Sequence, residues 1–205
     1  RACGRPGVVL VTSGPGITNC VTGMATAHMD SIPMIVISGQ VSRQYVGSDA
    51  FQEADATGIT RPITKHNFLI DSRESIAEVF KKAFEIATTG RPGPVLIDIP
   101  KDLTDPNIKI DFKYPSKVKI RSYKPQKNDK QEKIDQAAKI LCSAKKPMIY
   151  TGGGIILGNA HKHLYKIVKK LNYPITNTLM GLGGFPATDA QFLGMLGMHG
   201  TYEAN

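Results

Sequence analysis

The stretch GRPGPVLIDIPKD, residues 90–102, decides the fold of this chain. A turn rich in glycine and proline leads into the apolar, β-branched run at residues 95–99, and Pro100 ends that run because it cannot donate to a sheet ladder. A mostly apolar run of this length is typical of a strand buried on both faces of a parallel sheet. Ligands of open α/β sheets bind outside the carboxyl ends of such strands, so Lys101 and Asp102 are predicted to lie at a ligand-binding edge.

Working outward, the apolar, β-branched run at residues 7–12 predicts a buried strand, and residues 33–38 predict a second strand. Residues 13–16 (SGPG) predict a tight turn between the first of these strands and a helix. This geometry directs backbone N–H groups toward a ligand, but many α/β units turn on Gly-Pro-Gly for steric reasons alone. Alternating strands and helices through residues 1–103 predict one α/β domain, with a parallel sheet covered on both faces, which the chain leaves after Asp102.

One more strand and helix precede the deciding stretch. Residues 65–70 predict a short strand. Asp71 followed by Glu74 is a capping pattern that predicts the start of a helix, and Gly90 is predicted to end that helix.

The loop at residues 39–53 (GQVSRQYVGSDAFQE) is longer than most connections between a strand and a helix, which favours a functional loop. Phe51 and Gln52 lie at its end, where an aromatic ring and an amide can face a ligand. The alternative is that Phe51 packs under the loop while Gln52 is exposed to solvent. The residues alone favour this alternative.

Residues 104–130 have a different character, because prolines lie among lysines with no sustained period, which predicts an extended surface linker. A second α/β unit is predicted at residues 131–205. Its elements in order are a helix at 134–141, a strand at 147–151, a glycine turn at 152–154, a helix at 164–171 and a strand at 174–178. Glycines after a strand permit close approach of a dinucleotide phosphate, but the spacing is not GxGxxG, so nucleotide binding is only modestly favoured over a steric turn.

The segment at residues 193–200 (LGMLGMHG) mixes methionine and glycine around His199. The simplest interpretation is a core histidine whose hydrogen bonds are satisfied. No Cys, Asp or second His lies nearby in the sequence, which argues against a metal site, and we predict no metal ligand in this chain.

The net charge of +9 is concentrated in one part of the chain, since residues 104–170 contain 16 Lys and Arg against 5 Asp and Glu. The excess is almost all lysine, with little aromatic interleaving and no recognisable nucleic-acid-binding module. A solvated lysine-rich face is therefore favoured, and no nucleic-acid partner is predicted.

The three cysteines, Cys3, Cys20 and Cys142, are far apart and lack the spacing of metal ligands. Cys20 and Cys142 fall on the apolar faces of predicted helices, which predicts buried thiols in a reducing compartment. No apolar run is long enough to cross a bilayer, so we expect a soluble protein with no membrane partner.

Several segments together resemble the large, catalytic subunit of acetolactate synthase (acetohydroxyacid synthase), and the resemblance covers the chain apart from the basic linker. The motifs SGPG and GRPGPV are shared by thiamine-diphosphate decarboxylases and carboligases generally, whereas SDAFQE, TKHN, TLMGLG and GMHGTYEAN are specific to this family. The matching segments are VLVTSGPGITN at 9–19, MDSIPMIVISGQV at 29–41, SDAFQE at 48–53, TRPITKHNFLI at 60–70, GRPGPVLIDIPKD at 90–102, KKPMIYTGGG at 145–154, TLMGLGGFPATD at 178–189 and LGMLGMHGTYEAN at 193–205.

The resemblance implies a fold and a domain order. Residues 1–103 are similar to a three-layer, parallel-sheet α/β pyrimidine-binding domain that lacks its start, and residues 104–130 to a linker. Residues 131–205 are similar to the first part of a Rossmann-like, FAD-binding central domain.

The resemblance also implies roles at single positions. Gln52 matches a glutamine that faces the reaction centre, Phe51 an aromatic residue that lines the substrate channel, and Lys101 the lysine at the channel mouth. Pro15 and Asn19 match positions around the aminopyrimidine of thiamine. Positions along the flavin are matched by Arg91, Gly152, Gly153, Gly154, Thr178, Leu179, Met180, Gly197, Met198, His199, Gly200 and Thr201.

The activity that the resemblance implies is the thiamine-diphosphate-dependent condensation of pyruvate with a second 2-ketoacid, pyruvate or 2-ketobutyrate. The implied cofactors are thiamine diphosphate, Mg²⁺ and a structural FAD. The implied assembly is a homodimer of catalytic subunits, with the active site at the dimer interface, and a small regulatory subunit. The implied location is the cytoplasm of a bacterium, or a plastid or mitochondrion of a eukaryote.

In this family the activating glutamate lies upstream of the position of Arg1, and the acidic Mg²⁺-binding motif lies beyond that of Asn205. We therefore interpret the sequence as an internal fragment and expect it to be inactive by itself. One alternative is a related thiamine enzyme, such as a ketoacid oxidase or a glyoxylate carboligase. Another is a basic nucleotide- or nucleic-acid-binding module built on residues 104–170.

Overall fold

A computed structural model describes residues 1–126 and 130–205. The chain forms two compact units, Arg1–Lys127 and Asn128–Asn205. Each unit contains a parallel sheet with helices packed against it, which confirms the predicted α/β class.

The first unit is built on four parallel strands, β1 (Gly7–Val11), β2 (Met34–Gln40), β3 (His66–Leu69) and β4 (Pro94–Pro100). They lie in the order β1-β2-β4-β3, so β4 is an inner strand with a neighbour on each side. Val95, Leu96 and Ile97 are fully buried, as the deciding stretch predicts. Pro100 is the last residue of β4, where the loss of one N–H donor is tolerated.

Four helices cover the two faces of this sheet: α1 (Pro15–Asn19), α2 (Val21–Met29), α3 (Ala56–Thr60) and α4 (Ile76–Thr88). Successive strand residues point to opposite faces. Accordingly Val95 and Ile97 belong to one core with Ala83 of α4, while Leu96 belongs to another core with Ile17 of α1. The result is the expected three-layer arrangement.

Strand β1 lies at the edge of the sheet and pairs only with β2 in the described part of the chain. Val8 is 56% exposed and Leu10 is 76% exposed. The prediction that β1 is buried is therefore wrong, because an apolar, β-branched run reports strand propensity and does not report how many neighbours the strand has.

The start of α4 differs from the predicted capping pattern. Ser75 occupies the N-cap position without a side-chain capping hydrogen bond, and the helix begins at Ile76. The predicted cap at Asp71 and Glu74 is therefore wrong. The prediction that glycine ends this helix is confirmed. Gly90 follows the last helical residue, Thr88, by two positions and has φ +60, a conformation that glycine adopts without steric strain.

The chain after β4 stays in contact with the first unit. Leu103 is buried in the same core as α4, and Ile120 and Tyr123 pack against that core. The Lys65 ammonium donates to the carbonyl oxygens of Ile86 and Thr89 and to the Tyr123 hydroxyl, 3.0 Å away. Lys65 and Tyr123 thus join the end of α4 to the basic segment, residues 104–130.

The second unit begins with helix α5 (Gln131–Ser143) and contains a parallel sheet in the order β5-β6-β7. The strands are β5 (Ile149–Thr151), β6 (Ile175–Asn177) and β7 (Phe192–Met195), and the remaining helices are α6 (Gly154–Leu157) and α7 (His161–Leu171). Leu164 and Val168 of α7 pack on Ile175 and Phe185 to form its core.

The three cysteines are free thiols. Cys20 is partly buried, but Cys142 is exposed, because the apolar side of α5 is uncovered and Ile140 on the same helix is exposed as well. The prediction of a buried Cys142 is therefore wrong. In the described residues, no helix has both the length and the apolar composition needed to span a membrane.

Candidate functional site

The turn after β1 lies directly against the loop that carries Phe51 and Gln52. Gly14 occupies the N-cap of α1 with φ +57, and Pro15 is the first residue of that helix. A Cβ atom on Gly14 would lie 2.7 Å from the Gln52 carbonyl oxygen. Only glycine permits both this backbone conformation and this close approach. The structure therefore brings Gln52 together with Pro15, whereas Asn19 lies exposed at the far end of α1.

The loop is held in shape by its own acidic residue. The Glu53 carboxylate accepts hydrogen bonds from the backbone N–H groups of Gly47 and Ala50, and the second is 3.0 Å long. These N–H groups lower the pKa of Glu53, the Gly47 contact most strongly. Gln52 lies between these anchors with φ +60, and its side chain is exposed.

Phe51 is 89% exposed at the tip of this loop. The alternative in which Phe51 packs under the loop is therefore wrong. The Phe51 ring and the neighbouring Gln52 amide are therefore both exposed to solvent in this chain.

A buried polar network lies beneath the loop, at the carboxyl ends of β2 and β4. Asp98, which is 1% exposed, accepts a hydrogen bond of 2.5 Å from the Ser38 hydroxyl and one of 3.0 Å from Gln40 Nε2. Gln40 Nε2 also donates to the Ala54 carbonyl oxygen at 2.9 Å. Burial raises the pKa of Asp98, the bonds from Ser38 and Gln40 offset part of the rise, and the negative charge of Asp55 adds to it.

A cavity of about 290 Å³ opens at this same edge of the sheet. The ends of β1, β2 and β4 line this cavity. Lys101 and the turn that precedes α1 therefore border the same cavity. A lysine ammonium in this position can pair with a carboxylate ligand. The residues that line the cavity include Thr12, Ser13, Ser38, Gly39, Gln40, Ile99, Lys101 and Thr104.

Arg91 lies at the opposite end of β4 from Lys101. Its guanidinium donates to the Met29 carbonyl oxygen at 2.9 Å, to the His28 carbonyl oxygen at 3.3 Å and to the Ser31 hydroxyl at 2.7 Å. Arg91 therefore caps the carboxyl end of α2, where a cation is stabilised by the helix dipole. The structure does not bring it together with Gln52 or Lys101.

In the second unit, the glycine turn after β5 meets the residues that follow β6. The Thr178 N–H donates to the Thr151 carbonyl oxygen at 2.9 Å. A Cβ atom on Gly153 would lie 3.2 Å from Met180, whereas one on Gly154 would meet nothing within 4 Å. The turn at Gly152, Gly153 and Gly154 thus lies beside Thr178, Leu179 and Met180 and keeps an open side.

The residues after β7 complete this edge. The Leu196 N–H donates to the Asn177 carbonyl oxygen at 3.1 Å, and Asn205 bonds both the N–H and the carbonyl of Gly197. The segment holding Gly197, Met198, His199, Gly200 and Thr201 therefore starts beside the end of β6. His199 is exposed, so its interpretation as a core histidine is wrong.

The three loops of the second unit follow the carboxyl ends of parallel strands, the edge at which open α/β sheets bind ligands, and Gly154 leaves its backbone uncovered. Within residues 1–126 and 130–205, no group of three His, Cys, Asp or Glu side chains is placed to hold a metal ion.

The sequence interpretation missed the network of Ser38, Gln40 and Asp98. A signal for it was present: Asp98 is a lone carboxylate in an otherwise apolar run, and a buried carboxylate requires donors from a neighbouring strand. Ser38 is its register partner on β2. The identity of that neighbouring strand is a property of the fold and cannot be obtained from residues 90–102 alone.

Comparison with known proteins places both units in one group. Residues 1–59 match the family described as "Thiamine pyrophosphate enzyme, N-terminal TPP binding domain", and residues 134–205 match "Thiamine pyrophosphate enzyme, central domain". All 205 residues align with the acetolactate synthase large subunit of Haemophilus influenzae at 54% identity. Identity is 57% to the acetolactate synthase large subunit of Buchnera aphidicola subsp. Schizaphis graminum and 55% to the acetolactate synthase isozyme 3 large subunit of Escherichia coli (strain K12). The chain spans 36% of the length of each of these relatives.

Proposed function

The chain belongs to the thiamine pyrophosphate enzymes, within the acetolactate synthase large subunits, and from this premise we propose the activity of the protein that contains it. That protein condenses pyruvate with a second 2-ketoacid, either pyruvate or 2-ketobutyrate, and releases CO₂. The products are 2-acetolactate or 2-aceto-2-hydroxybutyrate, in the first common step of branched-chain amino-acid biosynthesis.

The contact between Gly14 and Gln52 is the observation that carries this proposal. It puts the amide-bearing loop against the turn before α1, next to a cavity that Lys101 lines. A site that joins two ketoacids needs groups to orient both of them, and Gln52 and Lys101 follow the carboxyl ends of the neighbouring strands β2 and β4.

Bound thiamine diphosphate would supply the nucleophilic carbon that decarboxylates the first ketoacid. In our assignment Pro15 and Asn19 lie along its aminopyrimidine, and the Gln52 amide faces the reacting ketoacid. The Phe51 ring lines the channel and excludes water, which protects the reacting carbon from stray protons. The Lys101 ammonium pairs with the carboxylate of an incoming ketoacid.

The second unit holds a flavin in this proposal. Its cradle is formed by three segments, the open turn at Gly152, Gly153 and Gly154, the residues Thr178 to Met180 after β6, and the residues Gly197 to Thr201 after β7. We also propose that Arg91 reaches the flavin in the assembled enzyme. The flavin is structural, since joining two ketoacids with loss of CO₂ involves no net oxidation or reduction.

We infer Mg²⁺ from the family alone and assign no residue of this chain to it. We assign residues 1–103 to the pyrimidine-binding domain and residues 131–205 to the central domain, joined by residues 104–130. A homodimer with a shared active site and a small regulatory subunit are the proposed partners, and the cytoplasm of a bacterium is the proposed location. The exposed Phe51 is consistent with an active site that a second subunit completes.

The test uses the full-length enzyme that contains this chain, supplied with pyruvate, thiamine diphosphate, Mg²⁺ and FAD. We expect one 2-acetolactate and one CO₂ for every two pyruvates. Acetate formation with uptake of O₂ would identify a ketoacid oxidase, and condensation of glyoxylate but not pyruvate would identify a glyoxylate carboligase. Either result contradicts the proposal. Retention of DNA by residues 104–170 in place of any turnover would favour the basic-module alternative.

Lys101→Met provides a residue-level check. Loss of a charge-assisted contact to the substrate carboxylate should raise KM for pyruvate by roughly ten- to hundredfold. Lys146→Met, which removes an exposed lysine outside the cavity, is the matched control and should leave KM unchanged.

A further inference from the structure

One amide side chain ties the end of the loop that carries Gln52 to the sheet. Gln40 lies at the end of β2, and its Nε2 donates both to the Asp98 carboxylate at 3.0 Å and to the Ala54 carbonyl oxygen at 2.9 Å. Its Oε1 accepts the Val41 N–H at 2.9 Å. Both amide protons and the amide oxygen are therefore used, so the side chain has one orientation that satisfies all its partners.

We propose that Gln40 is a positioning residue for ketoacid condensation: it ties Asp98 on the inner strand β4 to the backbone at Ala54 and so fixes the loop that presents Gln52. This inference rests on the proposed function, in which the Gln52 amide faces the reacting ketoacid.

The anchor beneath Gln40 is a buried, hydrogen-bonded carboxylate. Asp98 lies on the inner strand β4, in register with Ser38 on β2. The Ser38 hydroxyl donates to Asp98 Oδ1 at 2.5 Å, and Gln40 Nε2 donates to Asp98 Oδ2. A carboxylate this deeply buried is stable only while donors occupy its oxygens. Asp98 therefore holds the Gln40 amide in place, and loss of the amide leaves one oxygen without its donor.

The opposite end of the tether lies two residues from Gln52. Ala54 comes just before Asp55, whose carboxylate caps α3 by accepting the Gly58 N–H at 2.8 Å, and just after Glu53, which anchors the loop at Gly47 and Ala50. Gln52 has φ +60, a conformation that a non-glycine residue adopts only where its surroundings enforce it. The bond from Gln40 ties the Ala54 end of this loop to the strand beneath it, whereas Arg43 ties the start of the loop to Asp102.

The first experiment measures turnover by the full-length enzyme. Gln40→Met keeps the size of the side chain but removes both donors, and kcat for 2-acetolactate formation should fall roughly ten- to hundredfold, as expected when a reacting group is displaced by about 1 Å. The affinity for thiamine diphosphate should change less than about threefold, since Pro15 and Asn19 lie outside the tether. Gln44→Met is the matched control, because Gln44 is exposed and outside the network, and it should keep the wild-type kcat.

A double variant separates positioning from general damage. If Gln40 acts through Gln52, then Gln40→Met combined with Gln52→Ala should be no slower than Gln52→Ala alone. Losses that multiply in the double variant would overturn the proposal, as would a Gln40→Met enzyme within twofold of the wild type.

Two substitutions at Asp98 cover the case in which Gln40→Met does not fold. In Asp98→Asn, the amide oxygen can accept from Gln40 while the amide nitrogen donates to the Ser38 hydroxyl, so kcat should stay within about threefold of the wild type. Asp98→Leu offers no acceptor and should lower kcat as Gln40→Met does. Equal losses in the two variants would contradict a tether role.

Hydrogen exchange tests the tether independently of the proposed catalytic activity. In the absence of substrate, the amide of Glu53 should exchange faster in Gln40→Met than in the wild type and at the wild-type rate in Gln44→Met. An unchanged Glu53 amide in Gln40→Met would overturn the tether even in an enzyme that makes 2-acetolactate. A wild-type enzyme that makes none would refute the proposed function, while the exchange rates would still decide on the tether.

Discussion

Gly14 and Gln52 are in direct backbone contact, and both have positive φ angles, +57° and +60°. The contact joins the turn that begins α1 to the loop that follows β2. Two segments separated by 37 intervening residues thereby form a single surface at the carboxyl edge of the sheet.

Gly14→Ala should abolish most of the activity and destabilise the first unit. The unusual backbone conformation alone costs an alanine roughly 1–3 kcal/mol, and the new methyl group would also lie 2.7 Å from the Gln52 carbonyl oxygen. Urea unfolding and kcat measure the two effects. Gly23→Ala, at the exposed third residue of α2 with nothing within 4 Å of the new methyl group, should instead stabilise the protein by up to about 1 kcal/mol and keep its activity. A neutral Gly14→Ala would contradict the importance of this contact.

Phe51→Ala should separate activity from stability. Because the ring is 89% exposed, its removal should change the free energy of unfolding by less than about 0.5 kcal/mol. We expect kcat/KM for pyruvate to fall at least tenfold, since the proposed channel loses its apolar wall. Phe112→Ala removes another exposed ring away from the candidate site and should leave kcat/KM unchanged. An unaltered kcat/KM for Phe51→Ala would exclude its proposed role.

Gly154→Ala tests the flavin cradle. A methyl group at this position meets nothing within 4 Å, and alanine is a better helix former at the start of α6, so the stability of the chain should not decrease. The methyl group would nevertheless cover the open side of the turn. Flavin absorbance of the purified full-length enzyme should therefore be lower than in the wild type. Full flavin content in the variant would show that the ligand does not approach this turn.

The stability of the chain should depend on pH through Asp98. Its carboxyl has a raised pKa in the folded state, so between an unfolded pKa of about 3.9 and the raised folded value, the folded state binds more protons than the unfolded state. The free energy of unfolding contributed by Asp98 should therefore fall as pH increases through this window and stay constant above it. The charge of Asp55 faces the same carboxyl and acts in the same direction.

Asp98→Asn is the reference for that measurement, since it keeps the shape but does not titrate. Urea unfolding of the two proteins from pH 3 to pH 8 should show the wild type losing stability relative to the variant as pH rises. The opposite slope would mean that Asp98 is stabilised as an anion by the donors around it.

Tyr123→Phe should weaken the attachment of the basic segment to α4. The hydroxyl accepts from Lys65 at 3.0 Å and donates to the Thr89 carbonyl oxygen at 2.6 Å, and the loss of such bonds typically costs about 1 kcal/mol. Tyr114→Phe, in the same segment but with an exposed ring, is the control and should have no effect. Equal stabilities of the two variants would exclude a contribution from the hydroxyl.

The strands were the most predictable part of the fold. The apolar run at residues 95–99 predicts an inner strand, and β4 is one, because a run without polar alternation is stable only where both faces are covered. The same argument failed for β1. Its residues are also mostly apolar and β-branched, but the strand lies at the edge of the sheet.

The candidate site was predictable in its parts and not in its assembly. The Gly-Pro-Gly turn, the long loop and Lys101 each stand out in the sequence, yet their proximity follows from the strand order β1-β2-β4-β3, which no local pattern encodes. The exposed positions of Phe51, Cys142 and His199 were missed for a related reason. A side chain in an apolar stretch is normally buried by a neighbouring element. At these three positions the described residues supply no such neighbour.

The edge position of β1 also affects how this chain behaves as an isolated polypeptide. Its outer side presents backbone donors and acceptors beside the exposed Val8 and Leu10, and neither proline nor a charged residue interrupts residues 7–11. A strand of this kind is a template to which a second extended chain can add. In solution the 205-residue chain should therefore aggregate with rising concentration by intermolecular β-pairing, and a lysine in place of Leu10 is the substitution that blocks it.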